Sequence, residues 1–350
     1  MPRLRRADCA APGISRRRRG RGFEYLDEST GERIEDDDVV QRIQALAVPP
    51  AWEDVWICAD PLGHIQATGV DARRRKQYRY HDLWRERRDR KKFDAMVDFA
   101  GSLPKLREQV EVDLRRRKVS RERVLGCAVR LLDRGFFRIG SEDYAEENET
   151  YGLATMRKRH VTVTGERVVF DYEAKGSKRR VVQVVGERAV AGLVRTLRQR
   201  RGGGHELLAY RNGREWRDVR SEEINEYIKA VIGEEHSAKD FRTWNATVLA
   251  AVVLAASARE RDMTTKGGRN RAKRDAVKQV ARFLGNTPAV CRASYIDPRV
   301  FDRFDGGLTI GGVFKRLPDD PADWPEIQRP IEKAVLDLID RRESTSIERV

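Results

Sequence analysis

The sequence predicts an α+β protein with a small N-terminal β-rich domain and a larger, mainly α-helical domain. Three observations support this fold class. Short segments with strand-like patterns, such as 65–68 and 77–80, lie within the first 80 residues. The pattern is mainly helical from about Pro104 onward, with apolar residues at helical spacing. A pair of β segments around Gly165-Glu166 interrupts the helices and predicts a hairpin, which a third strand at 180–185 extends to a three-stranded sheet.

The N-terminal segment is strongly basic. Residues 1–22 contain eight arginines and no apolar block, which excludes a secretory signal. We therefore expect residues 1–21 to be a disordered basic tail that could also act as a non-specific DNA-binding arm.

The β-rich domain is expected to span residues 22–95, with its first ordered element near Phe23. The acids of 35–38 precede apolar residues at helical spacing, so they indicate a helix N-terminus more than a metal site. Pro49-Pro50 breaks the chain, and strands follow at 55–58 and at the two segments already named. A charged helix from about 82 to 99 leads into the second domain.

The helical domain is expected to span residues 96–315, followed by a C-terminal helical tail over 316–350. An apolar helix at 240–258 is long enough to be central to the core. A later helix is ended by Gly285, and Thr287-Pro288 has the pattern of a cap and first turn for the helix that carries Tyr295.

The charge of the chain indicates a polyanionic partner. There are 71 Lys and Arg against 56 Asp and Glu, which gives a formal net charge of +15. Basic runs begin at Arg16, Arg73, Arg87 and Arg115. A single run of this kind is usually solvated surface, but four in a basic chain favour phosphate contacts, so we expect nucleic acid as the partner.

Several common chemistries lack support in the sequence. There is no GxxxxGK[ST] loop, no HExxH spacing and no CxxC pair, so we expect no cofactor and no metal. The longest apolar stretch, 248–256, is shorter than the roughly 20 residues of a membrane span. Four widely spaced cysteines fit a reducing compartment, which predicts a cytoplasmic, nucleoid-associated protein.

Once these chemistries are set aside, the feature of the sequence that indicates a function is a set of Arg, Lys and Tyr residues within a few short, characteristic segments. Phosphodiester transfer without a metal needs fixed cations around the phosphorus, and arginine suits this because its planar fork is always charged. It also needs a general acid for the leaving oxygen and a nucleophile that forms a reversible bond.

Four segments match this demand. The first runs from Leu132 to Gly140 and continues as Glu146-Glu147-Asn148-Glu149-Thr150-Tyr151-Gly152-Leu153; the others are Phe170-Asp171-Tyr172-Glu173-Ala174-Lys175-Gly176-Ser177-Lys178, Lys239-Asp240-Phe241-Arg242-Thr243-Trp244, and Leu284-Gly285-Asn286-Thr287-Pro288-Ala289 with Ser294-Tyr295-Ile296-Asp297. Together they resemble the active-site segments of the type IB DNA topoisomerases, in the poxvirus-like and bacterial branch. The resemblance covers about residues 22–310 and implies the catalytic fold shared by these enzymes and the tyrosine recombinases.

The resemblance implies a role for each matching residue. Arg138 and Arg242 are the two catalytic arginines, Lys175 is the general acid on a hairpin, and Tyr295 is the nucleophile. Most of the family has His where this chain has Asn286. An Asn amide can still donate to a phosphate oxygen but brings no positive charge, so we expect a weaker form of the same role.

The resemblance extends to a DNA-clamp segment, from Gly69 to Tyr80. It implies DNA contacts from part of that segment and from the lysine that opens the Lys-Asp-x-Arg-Thr motif: Arg73, Arg74, Arg75, Lys76, Gln77, Tyr78, Tyr80 and Lys239. Tyr78 and Tyr80 have the same strand parity, so their shared face is either the domain core or a DNA-contacting surface.

The expected function is relaxation of supercoiled duplex DNA through a 3′-phosphotyrosine, by a monomer that clamps around the duplex. A tyrosine recombinase is an alternative with the same chemistry, but recombinases carry His-x-x-Arg where this chain has Lys239 before Arg242. A non-catalytic chromatin-binding protein is a third reading, which explains the charge but not the order of the four motifs.

Overall fold

The computed structural model describes residues 2–142, 145, 149–260, 263–315 and 324–350, without the side chains of 324–326. The chain folds as two compact units, residues 1–93 and residues 94–350. The division falls within a single long helix, α2 (Asp82–Leu114), whereas the sequence suggested a helix ending near 99. Pro104 lies inside this helix, so it does not mark the start of a new element.

The first unit is built on a five-stranded antiparallel sheet in the order β2-β1-β3-β4-β5. Its elements are β1 (Ile14–Arg19), β2 (Gly22–Asp27), α1 (Asp37–Ala45), β3 (Glu53–Ile57), β4 (Ile65–Val70) and β5 (Lys76–Tyr80). Asp36 caps α1 by accepting from two backbone N–H groups, which confirms the helix predicted after the acids. Ile43 of α1 packs with Ile14, Ile57 and Ala67, so α1 covers one face of the sheet.

The predicted disordered tail is wrong, because residues 14–19 form strand β1 between β2 and β3, and Arg5 forms backbone hydrogen bonds with residues 62 and 64. Ile14 is buried in the core. Arg16 donates to the carbonyl oxygens of residues 48, 49 and 52, and its guanidinium lies 4.2 Å from the centre of the Phe23 ring. These acceptors and the aromatic ring keep a charged side chain in the sheet, which a count of arginines cannot reveal.

The second unit is mainly helical and also contains a three-stranded antiparallel sheet. After α2 its elements are α3 (Arg121–Gly135), β6 (Val161–Thr164), β7 (Arg167–Ala174), β8 (Lys178–Val184), α4 (Arg188–Gln199), β9 (Ala209–Asn212), β10 (Glu215–Asp218), α5 (Ser221–Ile232), α6 (Ala238–Glu260), α7 (Lys266–Leu284), α8 (Pro288–Ser294), α9 (Pro298–Asp305), β11 (Leu308–Thr309), α10 (Gly311–Phe314), α11 (Trp324–Ile339) and β12 (Glu348–Arg349). The sheet has the order β6-β7-β8. Thr164 pairs with Arg167 across the Gly165-Glu166 turn, which confirms the predicted hairpin.

The segment after residue 315 is not a separate tail. Ile331, Ala334, Val335 and Leu338 of α11 are buried, and α11 packs against α6 and α9. β12 pairs with β11, which belongs to the same unit. The apolar residues of α11 recur at helical spacing and need a partner surface, and for this reason the helix joins the core.

Helix α6 is the centre of the second unit and packs against α3, α7, α9 and α11. It is the one helix, within the residues described, that is long and apolar enough to cross a membrane, and 67% of its apolar window is buried in the unit. The central apolar helix predicted at 240–258 is confirmed, and the longest uninterrupted apolar run, 248–256, lies within it. A buried core helix gives the same signal, so this is weak evidence for a membrane span.

Candidate active site

The C-terminus of α7 is the point at which the predicted site residues meet. The helix ends at Leu284 because Gly285 adopts φ = +64°, a left-handed conformation that is typical of a helix cap. The last carbonyl groups of a helix have no partner within it and carry its negative dipole end. Here these oxygens accept from Arg138, Arg180 and Arg242, which come from three different parts of the chain.

Arg138 follows α3 on a backbone segment that is fixed from both sides. Its carbonyl accepts from Leu153 N at 2.8 Å, and Ala154 N donates to the next carbonyl at 2.7 Å. Gly140 and Gly152 touch at this point, since a Cβ built on Gly152 would lie 2.4 Å from the Cα of Gly140. The glycines of the first motif are therefore required for the two segments to pack, a role that the sequence analysis did not assign.

The Arg138 side chain reaches the end of α7. Nη2 donates to the Gly285 carbonyl at 3.3 Å and to Oδ1 of Asn286. Nη1 is buried and has no hydrogen-bond partner among the described residues. The carboxylate of Glu142, four residues further on, does not pair with Arg138, because it accepts from the backbone N–H and the hydroxyl of Ser221.

Arg242 lies in the first turns of α6 and is only 4% exposed. Nη1 donates to the Phe136 carbonyl at 2.8 Å and Nη2 to the Leu284 carbonyl at 3.0 Å. Burial, assisted by repulsion from Arg138 and opposed by Tyr295, lowers the Arg242 pKa to about 10. The side chain is therefore still a cation at neutral pH.

Tyr295 lies at the end of α8, as the C-cap residue after Ser294. Thr287 caps the start of this helix through Oγ1, and Pro288 is its first residue, as predicted. The centre of the Tyr295 ring is 5.2 Å from Cζ of Arg242, so the half-buried phenol packs against a cation.

Asn286 turns its side-chain oxygen towards Arg138. A carboxamide has one acceptor oxygen and one NH2 donor, so this contact leaves the donor for another group. The residue follows the left-handed Gly285 directly and is half-buried.

Lys175 lies at the tip of the β7–β8 hairpin and is exposed. Together with Arg138 it lines a cleft of about 320 Å³, whose other walls are Ile139, Gly140, Ser141, Thr150, Tyr151 and Gly152. Lys239, three residues before Arg242 in the first turn of α6, is also exposed. The structure thus brings Arg138, Arg242, Asn286 and Tyr295 together, and it places Lys175 in the cleft that Arg138 lines.

The arrangement is suited to an anion. Three guanidinium groups bond to carbonyl or amide oxygens, and none is paired with a carboxylate within the described part of the chain. A phosphate could satisfy the buried Nη1 of Arg138. In the described ranges, no three His, Cys, Asp or Glu side chains are grouped so that they could hold a metal ion.

A second candidate surface lies on the first unit. Tyr78 and Tyr80 are 43% and 37% exposed and stack with ring centres 6.0 Å apart, so the alternative that they belong to the core is wrong. Nζ of Lys76 lies 5.9 Å from the Tyr78 ring. Arg73 and Arg74 are exposed near the turn that precedes β5.

Two predicted DNA contacts in this segment have an internal partner. Arg75 forms a double hydrogen bond with Asp71, and Gln77 donates to the same carboxylate. The hydrogen bonds from Arg75 lower the Asp71 pKa to about 2. These contacts fix the turn before β5 and engage both side chains.

The same face of the sheet carries arginines that the sequence analysis did not select. Ser15, Trp56, Thr68 and Tyr78 pair in a row across four strands, so their side chains share one face. Arg17 and Arg19 of β1 follow Ser15 at strand spacing and lie on that face. Their alternation with Ile14, Arg16 and Arg18 was the available signal, but the run had been assigned to a tail.

Comparison with known proteins gives matches to both parts of the chain. The family described as "Eukaryotic DNA topoisomerase I, catalytic core" matches residues 81–304, and "Bacterial DNA topoisomerase IB, N-terminal domain" matches residues 22–71. DNA topoisomerase 1B of Acanthamoeba polyphaga mimivirus is 30% identical over 317 residues, which cover 89% of this chain and 93% of the relative. DNA topoisomerase 1B of Vaccinia virus (strain Copenhagen) is 21% identical over 145 residues, which cover 40% of this chain and 46% of the relative.

The fold and these matches define a DNA topoisomerase. More specifically, the chain belongs to the type IB DNA topoisomerase family, and DNA is its substrate. The predicted family, fold class and enzyme class are confirmed, and the recombinase and chromatin-binding alternatives have no support in the matches. The bacterial N-terminal domain supports the bacterial branch, although the mimivirus relative is viral.

Proposed function

We propose that Tyr295 attacks a backbone phosphorus of duplex DNA and becomes linked to the 3′ end of the cleaved strand. The observation that carries this proposal is the convergence of Arg138, Arg242 and Tyr295 at the C-terminus of α7, where the Arg242 guanidinium lies 5.2 Å from the phenol ring. A half-buried phenol beside cations that pair with no carboxylate in the described part of the chain is suited to attack on an anionic phosphodiester.

Arg138 and Arg242 bind the non-bridging oxygens and stabilise the charge that develops on them. Each guanidinium is held by backbone carbonyl groups, so little reorganisation is needed when a phosphate binds. Nη1 of Arg138, which has no hydrogen-bond partner among the described residues, is a donor available to such an oxygen. The Asn286 NH2 group donates to the same phosphate while its oxygen stays on Arg138.

Lys175 protonates the 5′-oxygen as the P–O bond breaks. Its position at a hairpin tip lets it close over a substrate in the cleft that it shares with Arg138. Bond energy is kept in the phosphotyrosine, so resealing needs no ATP. The free 5′ end swivels, and its hydroxyl then attacks the phosphotyrosine, expels Tyr295 and restores the strand. The residues proposed here carry out these steps without a metal or cofactor.

DNA contacts outside the site are assigned to the exposed side chains of the first unit and to Lys239. Tyr78, Tyr80 and Lys76 offer an aromatic and basic surface, and Arg17 and Arg19 lie on the same face of the sheet. We propose that a monomer clamps the duplex with both units. The free state of all four cysteines supports a cytoplasmic, nucleoid-associated location.

The test is relaxation of supercoiled plasmid in EDTA without ATP. The wild type should relax positive and negative supercoils and form covalent DNA adducts that survive detergent quenching. Tyr295→Phe should bind DNA but do neither. Tyr210→Phe is a matched control, since its hydroxyl contacts Glu223 outside the site, and it should relax normally. Adducts or relaxation by Tyr295→Phe would refute the assignment of the nucleophile.

A further inference from the structure

A third arginine, Arg180, binds the same helix end as the two proposed catalytic arginines. It lies on β8, five residues after Lys175, and pairs across the hairpin with Tyr172 of β7. Strand β8 is at the edge of its three-stranded sheet, so β7 is its one neighbouring strand there. Outside the sheet, β8 contacts α3 and, through Arg180, the end of α7.

Arg180 supplies such contacts to the C-terminus of α7. Nη1 donates to the Leu284 carbonyl at 3.0 Å, and Nη2 donates to the Phe283 carbonyl. The stem of the side chain lies against Gly285, where an added Cβ would come within 3.1 Å of Arg180 Cδ. Both terminal nitrogens are bonded to carbonyl oxygens at the end of α7, so this guanidinium anchors the hairpin to that helix end.

The electrostatics of Arg180 agree with a structural anchor. Burial lowers its pKa, an effect opposed by Tyr172 and assisted by Arg138. The negative end of the α7 dipole offsets the repulsion among the neighbouring arginines. Arg180 and Arg242 both donate to the Leu284 carbonyl, so the hairpin and α6 are bonded to the same backbone oxygen.

We propose that Arg180 is a positioning residue for strand cleavage. It holds the β7–β8 hairpin against the end of α7 so that Lys175 meets the leaving 5′-oxygen while Asn286 and Tyr295 engage the phosphate. This inference rests on the proposed role of Lys175 as the general acid. Without the anchor, the tip moves relative to the phosphate, and the proton transfer suffers before the attack by tyrosine does.

The proposal is tested by comparing two leaving groups in single-turnover cleavage. One duplex carries the normal 5′-oxygen at the scissile phosphate, and the other carries sulfur at that bridging position. A thiol has a pKa of about 8.5, so the thiolate leaves without a proton donor. Arg180→Ala should cleave the oxygen substrate roughly 100-fold more slowly than wild type, because small misplacements cost about that much. On the sulfur substrate it should be within about threefold of wild type.

Arg179→Ala is the matched control. Arg179 neighbours Arg180 on β8 but pairs with Asp171 on the surface, so its removal should leave both rates unchanged. Arg180→Lys serves if the alanine variant does not fold, and it should keep part of the oxygen rate because one donor remains. Melting temperature and DNA affinity of each variant are measured alongside.

The outcomes separate the two proposals. If Lys175→Ala recovers on sulfur but the Arg180 variants are slowed equally on both substrates, or on neither, the positioning role is overturned and the lysine role stands. If Lys175→Ala is slowed equally on both substrates, the lysine is not the acid, and the Arg180 proposal falls with it. Selective loss on oxygen in both sets of variants supports both roles.

Discussion

Replacement of Arg242 should slow strand cleavage strongly even at temperatures at which the variant is fully folded. The side chain is 4% exposed and donates to the Phe136 and Leu284 carbonyl groups at 2.8 and 3.0 Å. Its Cζ is 5.2 Å from the ring of Tyr295. Arg242→Ala removes the cation and both donors, whereas Arg242→Lys keeps a charge but has one nitrogen to serve two carbonyl groups and a phosphate.

The expected loss in cleavage rate follows from the donors and the charge that each substitution of Arg242 removes. Loss of one preorganised donor at a developing charge costs about 10²–10³ in rate, which is about 2.7–4 kcal/mol. The alanine variant also loses the cation, so we expect a reduction of roughly 10³ or more. For Arg242→Lys we expect an intermediate reduction of roughly 10–10², since its charge remains but its geometry does not. Each carbonyl that loses its charged donor costs about 1.5–3 kcal/mol of stability.

Single-turnover cleavage of a short duplex by excess enzyme, followed on a denaturing gel, measures the chemical step directly. Rates are compared at a temperature at which thermal unfolding shows every variant to be folded. The expected order is wild type, then lysine, then alanine. An alanine variant that cleaves within threefold of wild type would refute the assignment of Arg242 to the phosphate.

Three further predictions concern stability, DNA binding and pH. Arg107 forms salt bridges with the buried carboxylates of Asp133 and Glu332 in the second unit. Arg107→Met should therefore lower the free energy of unfolding, measured by chemical denaturation, by about 3–5 kcal/mol. A loss under about 1 kcal/mol would contradict this. Alanine at both Tyr78 and Tyr80 should weaken duplex binding by roughly tenfold in a fluorescence titration. The free energy of unfolding should change by less than about 0.5 kcal/mol because both rings are exposed. Unchanged affinity would show that these rings do not contact DNA. Burial and two nearby arginines lower the His160 pKa to about 4, so the unfolded chain takes up the proton before the folded protein does as pH falls. The free energy of unfolding of wild type should therefore fall relative to that of His160→Gln between about pH 6.5 and 4. A difference between the two proteins that does not change with pH would contradict this prediction.

The helix ends at the site could be predicted because their signals are local. Gly285 ends α7, and Thr287-Pro288 begins α8, since each residue acts on backbone groups within a few positions. The β6–β7 hairpin is equally local, with its turn at Gly165-Glu166. The order of the four motifs was sufficient to select the residues that meet at the end of α7.

The partners of the arginines could not be predicted in the same way. Arg16, Arg180 and Arg242 all bond to backbone carbonyl groups, and the nearest of these is more than 30 residues away in the sequence. Every residue has a carbonyl, so no side-chain pattern marks the acceptor. For this reason β1 was mistaken for a tail, and Arg180 was treated as an ordinary strand residue.

Asn286 offers a further test of how the site uses its donors. Its oxygen accepts from Arg138, which leaves the NH2 group for the phosphate, and a carboxamide does not titrate. Asn286→Ala should therefore slow cleavage by roughly 10–100-fold, since a hydrogen bond to a charged oxygen contributes about 1.5–3 kcal/mol. The pH profile of the cleavage rate of wild type should therefore show no titration that comes from Asn286.

Asn286→His is the informative second variant. A histidine there would face the charges of Arg138 and Arg242, and like charges lower its pKa below the usual 6.5 or so. The neutral ring can accept from Arg138 through one nitrogen and donate to the phosphate through the other, as the asparagine does. We therefore expect a cleavage rate within a few-fold of wild type and flat with pH above about 6.5. A rate that rises steeply as pH falls through 7 would show that the position gains from a positive charge, and the neutral-donor account of Asn286 would then be wrong.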